Sequence, residues 1–264
     1  MRYVADHDMH IHSHLSLCSD DPAQTPEAIL EYGVANGYKT LCLTDHMWDE
    51  AIPGASRGYV EETFARAKSA LPLPRAEGIR FLFGSEVDMD RHFKLGITPE
   101  TLEKLDFCVI STTHLHMSGF TLEGSEDAKE RADLWVRRLD SVLDRDLPFH
   151  KIGIGHLTTH LIYKEDYLAV LDSVPEREYR RVFKKAAERG VGIELNFRSL
   201  EMDDEEFEAN LRPFRIAKEE GCKFYFGSDS HHPDRFSEAK AEFEKTIDGL
   251  GLEETDKFAF VSNK

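Results

Sequence analysis

The chain has 264 residues, with 50 Asp or Glu against 33 Lys or Arg and a formal net charge of −17. An apolar fraction of 41% beside 31% charged residues excludes a disordered or fibrous chain. The acidic balance excludes a non-specific binder of nucleic-acid polymers, because phosphate contacts need Lys and Arg.

Strand-like and helix-like segments alternate along the chain. A first strand is predicted over residues 8–12 (DMHIH), followed by a helix opening at Thr25-Pro26-Glu27. A hydroxyl at N-cap, Pro at N1 and an acid in the first turn make that start signal. Strands follow at 40–44 and 79–87, and a second helix start stands at Thr98-Pro99-Glu100. A fourth strand (107–112) leads to a helix over 125–145, whose Ala128, Leu134, Val136, Leu139, Val142 and Leu143 keep a period near 3.6. The fifth strand spans 151–156. A helix over 175–190 ends on Gly190, the sixth strand covers 191–196, and a helix over 203–221 ends on Gly221. The last strand covers 223–229. The pairs Arg137-Arg138, Arg180-Arg181 and Lys184-Lys185 read as solvated helix faces, as do the acids of 201–209.

Strands alternating with helices imply parallel pairing, since each crossover needs a helix. Seven such units without a Ser/Gly/Pro linker imply one α/β domain over 1–264, with the sheet closed as a barrel. No apolar run approaches the roughly 20 residues of a membrane helix. The first ten residues lack the apolar core of a signal peptide. The cysteines, Cys18, Cys42, Cys108 and Cys222, form no CxxC pair. The expected location is the reducing cytoplasm.

Thirteen histidines are many for this length, and their placement carries the functional signal. In α/β barrels reactive groups gather at the C-terminal ends of strands. Here those ends read His10-Ile11-His12, Asp45-His46, Ser85-Glu86, Thr113-His114, Gly155-His156 and Asp229-Ser230-His231. The sixth strand, IELNFRS, offers no evident ligand, only Asn196 and Arg198. Residues i and i+2 of a strand share a face about 6.5–7 Å apart, so His10 and His12 can reach one ion. Gathering so many ionisable groups is costly unless cations compensate them. Imidazole and carboxylate donors suit Zn²⁺, Fe²⁺ or Mn²⁺. Their number suits two or three divalent ions, with Glu86 as a bridge. Glycine before the ligand in GSE, GH and GSD lets the backbone approach a crowded centre. His7, His92, His150 and His160 fall outside the pattern.

The series DMHIHS, LTDH, GSEVD, STTH, IGH and GSDSH resembles the PHP (polymerase and histidinol phosphatase) superfamily of metal-dependent phosphoesterases. It runs in family order from residue 8 to residue 231. The resemblance implies a distorted (β/α)₇ barrel and a trinuclear site. His10, His12, Glu86 and Asp229 would hold a first ion. Glu86, His114 and His156 would hold a second, with His114 preferred to His116. His46 and His231 would hold a third with one residue from the loop after strand one. At that point the sequence departs from the family, which often has His or Asp where Cys18 stands. Asp20 is favoured for the role, with Asp21 and His14 as alternatives.

The reaction implied is hydrolysis of a phosphate ester by hydroxide generated at the ions near Glu86 and Asp229. Arg198 is the candidate phosphate clamp, since a guanidinium binds phosphate in bidentate fashion; Arg91, His92, His232 and Arg235 are further options. The expected partner is a small phosphorylated metabolite, with histidinol phosphate the finer guess, and neither a nucleic-acid polymer nor a membrane. Three other readings compete. One is a phosphodiesterase acting on nucleotides. Another is an amidohydrolase-like barrel, disfavoured because no strand end offers a bridging Lys. The third is a non-catalytic metal-binding module. Oligomeric state is not legible.

Overall fold

The structure is a computed structural model that describes residues 1–260. Seven principal strands run parallel in the order β1 (His7–Ile11), β2 (Thr40–Leu43), β4 (Arg80–Asp88), β5 (Phe107–Ser111), β6 (Ile152–Ile154), β7 (Gly192–Leu195) and β8 (Lys223–Phe226). A two-residue strand, β3 (His46–Met47), continues the line of β2 and sets His46 opposite Glu86 on β4. The sheet nearly closes on itself. Asp229 N–H donates to His10 O at 2.7 Å and His12 N–H to Ser230 O at 3.0 Å. The result is the α/β barrel of seven units expected from the sequence.

The helices form where local signals ask for them. Thr25 caps α1 (Pro26–Asn36), and Gly37 ends it at φ +70°. Asp127 and Glu130 form a capping box at α4 (Ala128–Leu143). Gly190 ends α6 (Glu176–Arg189) in the left-handed region, where only glycine sits without strain. The remaining helices are α2 (Phe64–Lys68), α3 (Pro99–Leu102), α5 (Tyr167–Ser173), α7 (Asp204–Glu219) and α8 (Phe236–Leu250). Among the described residues no helix is long and apolar enough to cross a membrane.

Arg138 is not on a solvated face but fully buried. Its guanidinium donates to Met89 O, Thr112 O, Asp90 O and Thr121 O at 2.6–3.2 Å. The buried stripe of α4 runs through Arg131, Trp135, Arg138 and Leu139, rotated from the purely apolar stripe. Arg138 thus ties together the segments that follow β4 and β5, at the end of the barrel where the histidines gather. Arg180, Arg181 and Lys185 do form surface ion pairs.

The barrel interior is graded. On β4 the inward line is Leu82, Gly84, Glu86, Asp88; on β5 it is Phe107, Val109, Ser111. Leu82, Phe107 and Val109 form an apolar cluster with Met9, Cys42, Tyr225 and Phe258. The C-terminal segment returns under the barrel to supply Phe258, whose N–H donates to Phe224 O at 2.8 Å. The polar ends of the same lines build the site.

Candidate metal centre

Eight of the nine candidate ligands lie together in three groups whose donor atoms are within 4.8 Å of one another. His10, His12, Glu86 and Asp229 form one, Glu86, His114 and His156 a second, and His12, His46 and His231 a third. Glu86 belongs to two groups because its oxygens diverge. Oε2 lies 3.1 Å from His10 Nε2, 3.2 Å from His12 Nε2 and 3.2 Å from His46 Nδ1. Oε1 lies 2.7 Å from His156 Nε2 and accepts from Ser111 Oγ.

Hydrogen bonds orient four of the imidazoles. His10 Nδ1 donates to Glu194 Oε1 at 2.7 Å. His114 Nδ1 donates to Asp88, 3.0 Å from each oxygen. Ser16 Oγ gives its proton to Asp45 at 2.9 Å, so it accepts from His12 Nδ1 at 3.0 Å. Thr113 Oγ1 donates to His156 O at 3.0 Å and accepts from His156 Nδ1 at 3.1 Å. Each ring therefore donates from Nδ1 and, when neutral, turns the Nε2 lone pair inward. Such outer partners fix the tautomer of metal-ligating histidines.

The donor set fits divalent cations. Nε2 of His10 and His12 meet at 3.0 Å, and Asp229 Oδ1 is buried without a hydrogen-bond partner. Lone pairs and carboxylates converging in a buried space require positive charge there. The shifts of these groups express that demand. Burial pulls His10 down, but Glu194, Glu86 and Asp229 outweigh it and hold it well above the usual imidazole value. His12 and His114 rise to about 9 against burial by the same kind of pairing. Burial pushes Glu86 up, yet His46, His10 and His114 bring it well below the carboxylate range. His46 and His231 respond chiefly to burial and fall to about 3 and about 4.

The backbone is strained where two candidate ligands sit. His156 and Asp229 have φ of +32° and +52°, uncommon for residues with a side chain. Glu194 and His10 hold these turns, accepting from His156 N and Asp229 N at 2.7 Å each. A methyl group at Gly227 would collide with Glu194 and His10, so glycine before the ligand serves close approach, as expected.

Asp20 is not brought into the centre. Its side chain is 89% exposed, 3.4 Å from His232 Nε2. Ser16 bonds inward to Asp45, and Ser19 Oγ donates to His231 O at 2.6 Å. These two anchors leave the next residue facing solvent. Cys18 and Glu62 line the cavity instead. His116 also lines it, outside the ligand groups, with a buried and unpartnered Nδ1. His160, which the strand-end pattern left out, is a lining residue too. His7 is structural: Phe226 N–H donates to its Nε2 at 3.1 Å, and its Nδ1 donates to Asp6 at 3.1 Å.

Glu194 is the chief residue that sequence reasoning missed. It is fully buried and braces His10 and His156 from the sixth strand, the one thought to lack a ligand. Its signal was available: an acid between Ile193 and Leu195 in a strand buried on both faces needs a partner. Asp88 stood inside the GSEVD motif with no role assigned.

The centre lies in a cavity of about 740 Å³. Arg198 and Arg235 line it. Arg198 is 57% exposed, its Nη1 3.5 Å from Glu201, and Arg235 Nη1 lies 3.1 Å from the same acid. Arg91 pairs with Glu123 away from the cavity.

Comparison with known proteins adds family and fold. A family model described as the PHP domain matches residues 8–198. No curated protein matches the sequence. The structure is similar to histidinol phosphate phosphatase from Lactococcus lactis, solved with zinc, L-histidinol and phosphate. The TM-score is 0.61 at 18% identity, covering 97% of this chain and 100% of that one. Looser likenesses are to an archaeal ribonuclease P with mature tRNA (TM-score 0.39, 12% identity, 92% and 90% covered) and to an ochratoxinase of A. niger (TM-score 0.44, 10% identity, 96% and 68% covered).

Proposed function

The chain belongs to the PHP domain family and is a metal-dependent phosphoesterase, and we propose that it hydrolyses a small phosphomonoester, histidinol phosphate being the first to try. The observation that carries this reading is Glu86, whose two oxygens divide between two histidine groups beside the unpartnered Asp229 Oδ1. Bound Zn²⁺, Mn²⁺ or Fe²⁺ supplies Lewis-acid charge to phosphoryl oxygens and lowers the pKa of water toward about 7.

His10, His12, Glu86 and Asp229 would hold one ion, and Glu86, His114 and His156 a second. One imidazole nitrogen ligates one ion. With His12 counted in the first set, the third group keeps His46 and His231, and Cys18 and Glu62 are the cavity donors available to complete it. Glu194, Asp88, Ser16 and Thr113 hold the rings so that Nε2 stays aimed inward. Arg198 and Arg235 are both tied to Glu201. Exchanging that carboxylate for a phosphate would give a bidentate clamp.

The cavity volume suits a small molecule, and the net charge of −17 disfavours a polymer of phosphates. The ligands named for the Lactococcus neighbour motivate the choice of histidinol phosphate. Four free cysteines suit the reducing cytoplasm.

The test is phosphate release from histidinol phosphate and p-nitrophenyl phosphate by protein reloaded with Mn²⁺ or Zn²⁺, beside a chelated control. Metal-dependent release from both supports the full reading. Release from p-nitrophenyl phosphate alone keeps the phosphomonoesterase and removes histidinol phosphate. Release from neither, with p-nitrophenyl diesters cleaved, replaces it with a phosphodiesterase.

A further inference from the structure

The segment between β3 and α2, residues 48–63, packs against the barrel end where the histidines gather, and it is pinned along its length. Trp48 N–H donates to Glu62 O at 2.8 Å and Asp49 N–H to Gly96 O at 2.7 Å. Thr98 Oγ1 donates to Asp49 at 2.6 Å. Trp48, Tyr59 and Phe120 form a small apolar cluster of their own, apart from the main core. A turn places Tyr59: its N–H donates to Ser56 O at 2.9 Å, and its carbonyl accepts from Glu62 N–H at 3.1 Å.

The ring of Tyr59 belongs to that cluster, but its hydroxyl leaves it. The O–H donates to Asp88 Oδ2 and lies 3.4 Å from His46 Nδ1. Tyr59 is buried, and a buried phenol needs a polar partner. The partner here is the carboxylate that holds His114 Nδ1, 3.0 Å from each oxygen. Asp88 is itself fully buried. A carboxylate held by one donor can still turn about its Cβ–Cγ bond, and a second donor from another segment stops it. The rings of Tyr59 and His46 also meet edge-on, with centroids 5.6 Å apart at 81°. One side chain thus touches both His46 and the brace of His114. Packing in the cluster asks only for a ring, which Phe would supply; the hydroxyl is spent on the metal side.

We infer that Tyr59 is a positioning residue of the metal centre. Acting through Asp88 it fixes His114, and it makes the hold on the ion of Glu86, His114 and His156 depend on the 48–63 segment. The inference rests on the metal-centre reading above and adds an outer partner supplied by a loop.

The experiment titrates metal-stripped protein with Co²⁺, which imidazole and carboxylate sites accept and whose visible absorption follows its coordination geometry. It is repeated on Tyr59→Phe, which keeps the ring, on Asp88→Asn and on the double variant, with chelator competition to give affinities. Tyr59→Phe should weaken one ion about tenfold, as for other outer partners of ligand histidines, and should change the Co²⁺ spectrum. In the Asp88→Asn background the same substitution should cost under about twofold more, because both act along one path. Losses that simply add overturn the inference, since they mean Tyr59 does not act through Asp88. Equal affinities and spectra for Tyr59→Phe and the unaltered protein also overturn it, and leave the metal centre standing. No Co²⁺ bound by the unaltered protein removes the centre itself and this role with it.

Discussion

At the N-terminal end of the barrel the inward side chains are Met9, Cys42, Leu82, Phe107 and Tyr225, sealed by Phe258 from the returning C-terminal segment. At the other end the inward side chains are His10, Glu86, Asp88, Ser111 and Glu194, all buried as well. Burial is equal at the two ends; what satisfies it differs. Apolar groups are stabilised there by leaving water, about 25 cal/mol for each Å². Buried imidazoles and carboxylates need hydrogen bonds and compensating charge to remain. The lower end therefore stores stability, and the upper end, with its strained turns at His156 and Asp229, holds function at a cost to stability.

Substitutions at the two ends should separate these roles. The largest effect is expected from Glu86→Gln. Several kcal/mol of transition-state stabilisation depend on the ions, so kcat should fall on the order of 10³-fold, and metal content per chain should drop. Full activity with unchanged metal content would sink the bridging role. Phe258→Ala should remove about 3 kcal/mol of stability in urea unfolding, the lower part of the range for a buried Phe, while turnover per folded molecule stays the same. A large loss of turnover there would mean that the two ends are coupled.

Smaller effects sharpen the contrast. Asp88→Asn and Glu194→Gln should each weaken metal binding or activity by about 10–100-fold, as for other outer partners of ligand histidines. Competition with a metallochromic chelator measures this; unchanged affinity in both would remove their orienting role. The smallest effect concerns Asp6. Burial pushes its carboxyl up, but hydrogen bonds from His7 and Lys257 prevail and bring it to about 2. A carboxyl lowered on folding stabilises the protein above its unfolded value near 4, and that contribution is lost as pH falls through about 2. The side chain is 35% exposed, so after screening the effect is below about 1 kcal/mol. Asp6→Asn should flatten stability over that window and leave it unaltered between pH 6 and 8 apart from a constant offset.

Much of the candidate site could be read in advance because its candidate ligands sit at strand ends, where periodicity locates them. His10 and His12 share a face by strand geometry alone, and Glu86 follows from the end of a long apolar run. Glu194 was hidden because it lies inside a strand, and its partners His10 and His156 are 184 and 38 residues away. Arg138 was hidden for a related reason. A helix period near 3.6 cannot tell a charged residue on the inner stripe from one beside it until carbonyls from other segments arrive to pair with it. Asp20 was misplaced because loop direction depends on anchors such as Ser19 on His231 O, which no spacing encodes.

Local interactions wrote themselves into the sequence. Caps, left-handed glycines, strand periods and the order of histidine-bearing strand ends each depend on a few neighbouring residues, and from them follow the barrel, the donor types and the family. Tertiary structure decided which way each donor faces, which residues brace it, and what lies across the cavity from it. Those outcomes depend on groups far apart in the chain meeting in a low-dielectric interior, where an unpaired charge is costly.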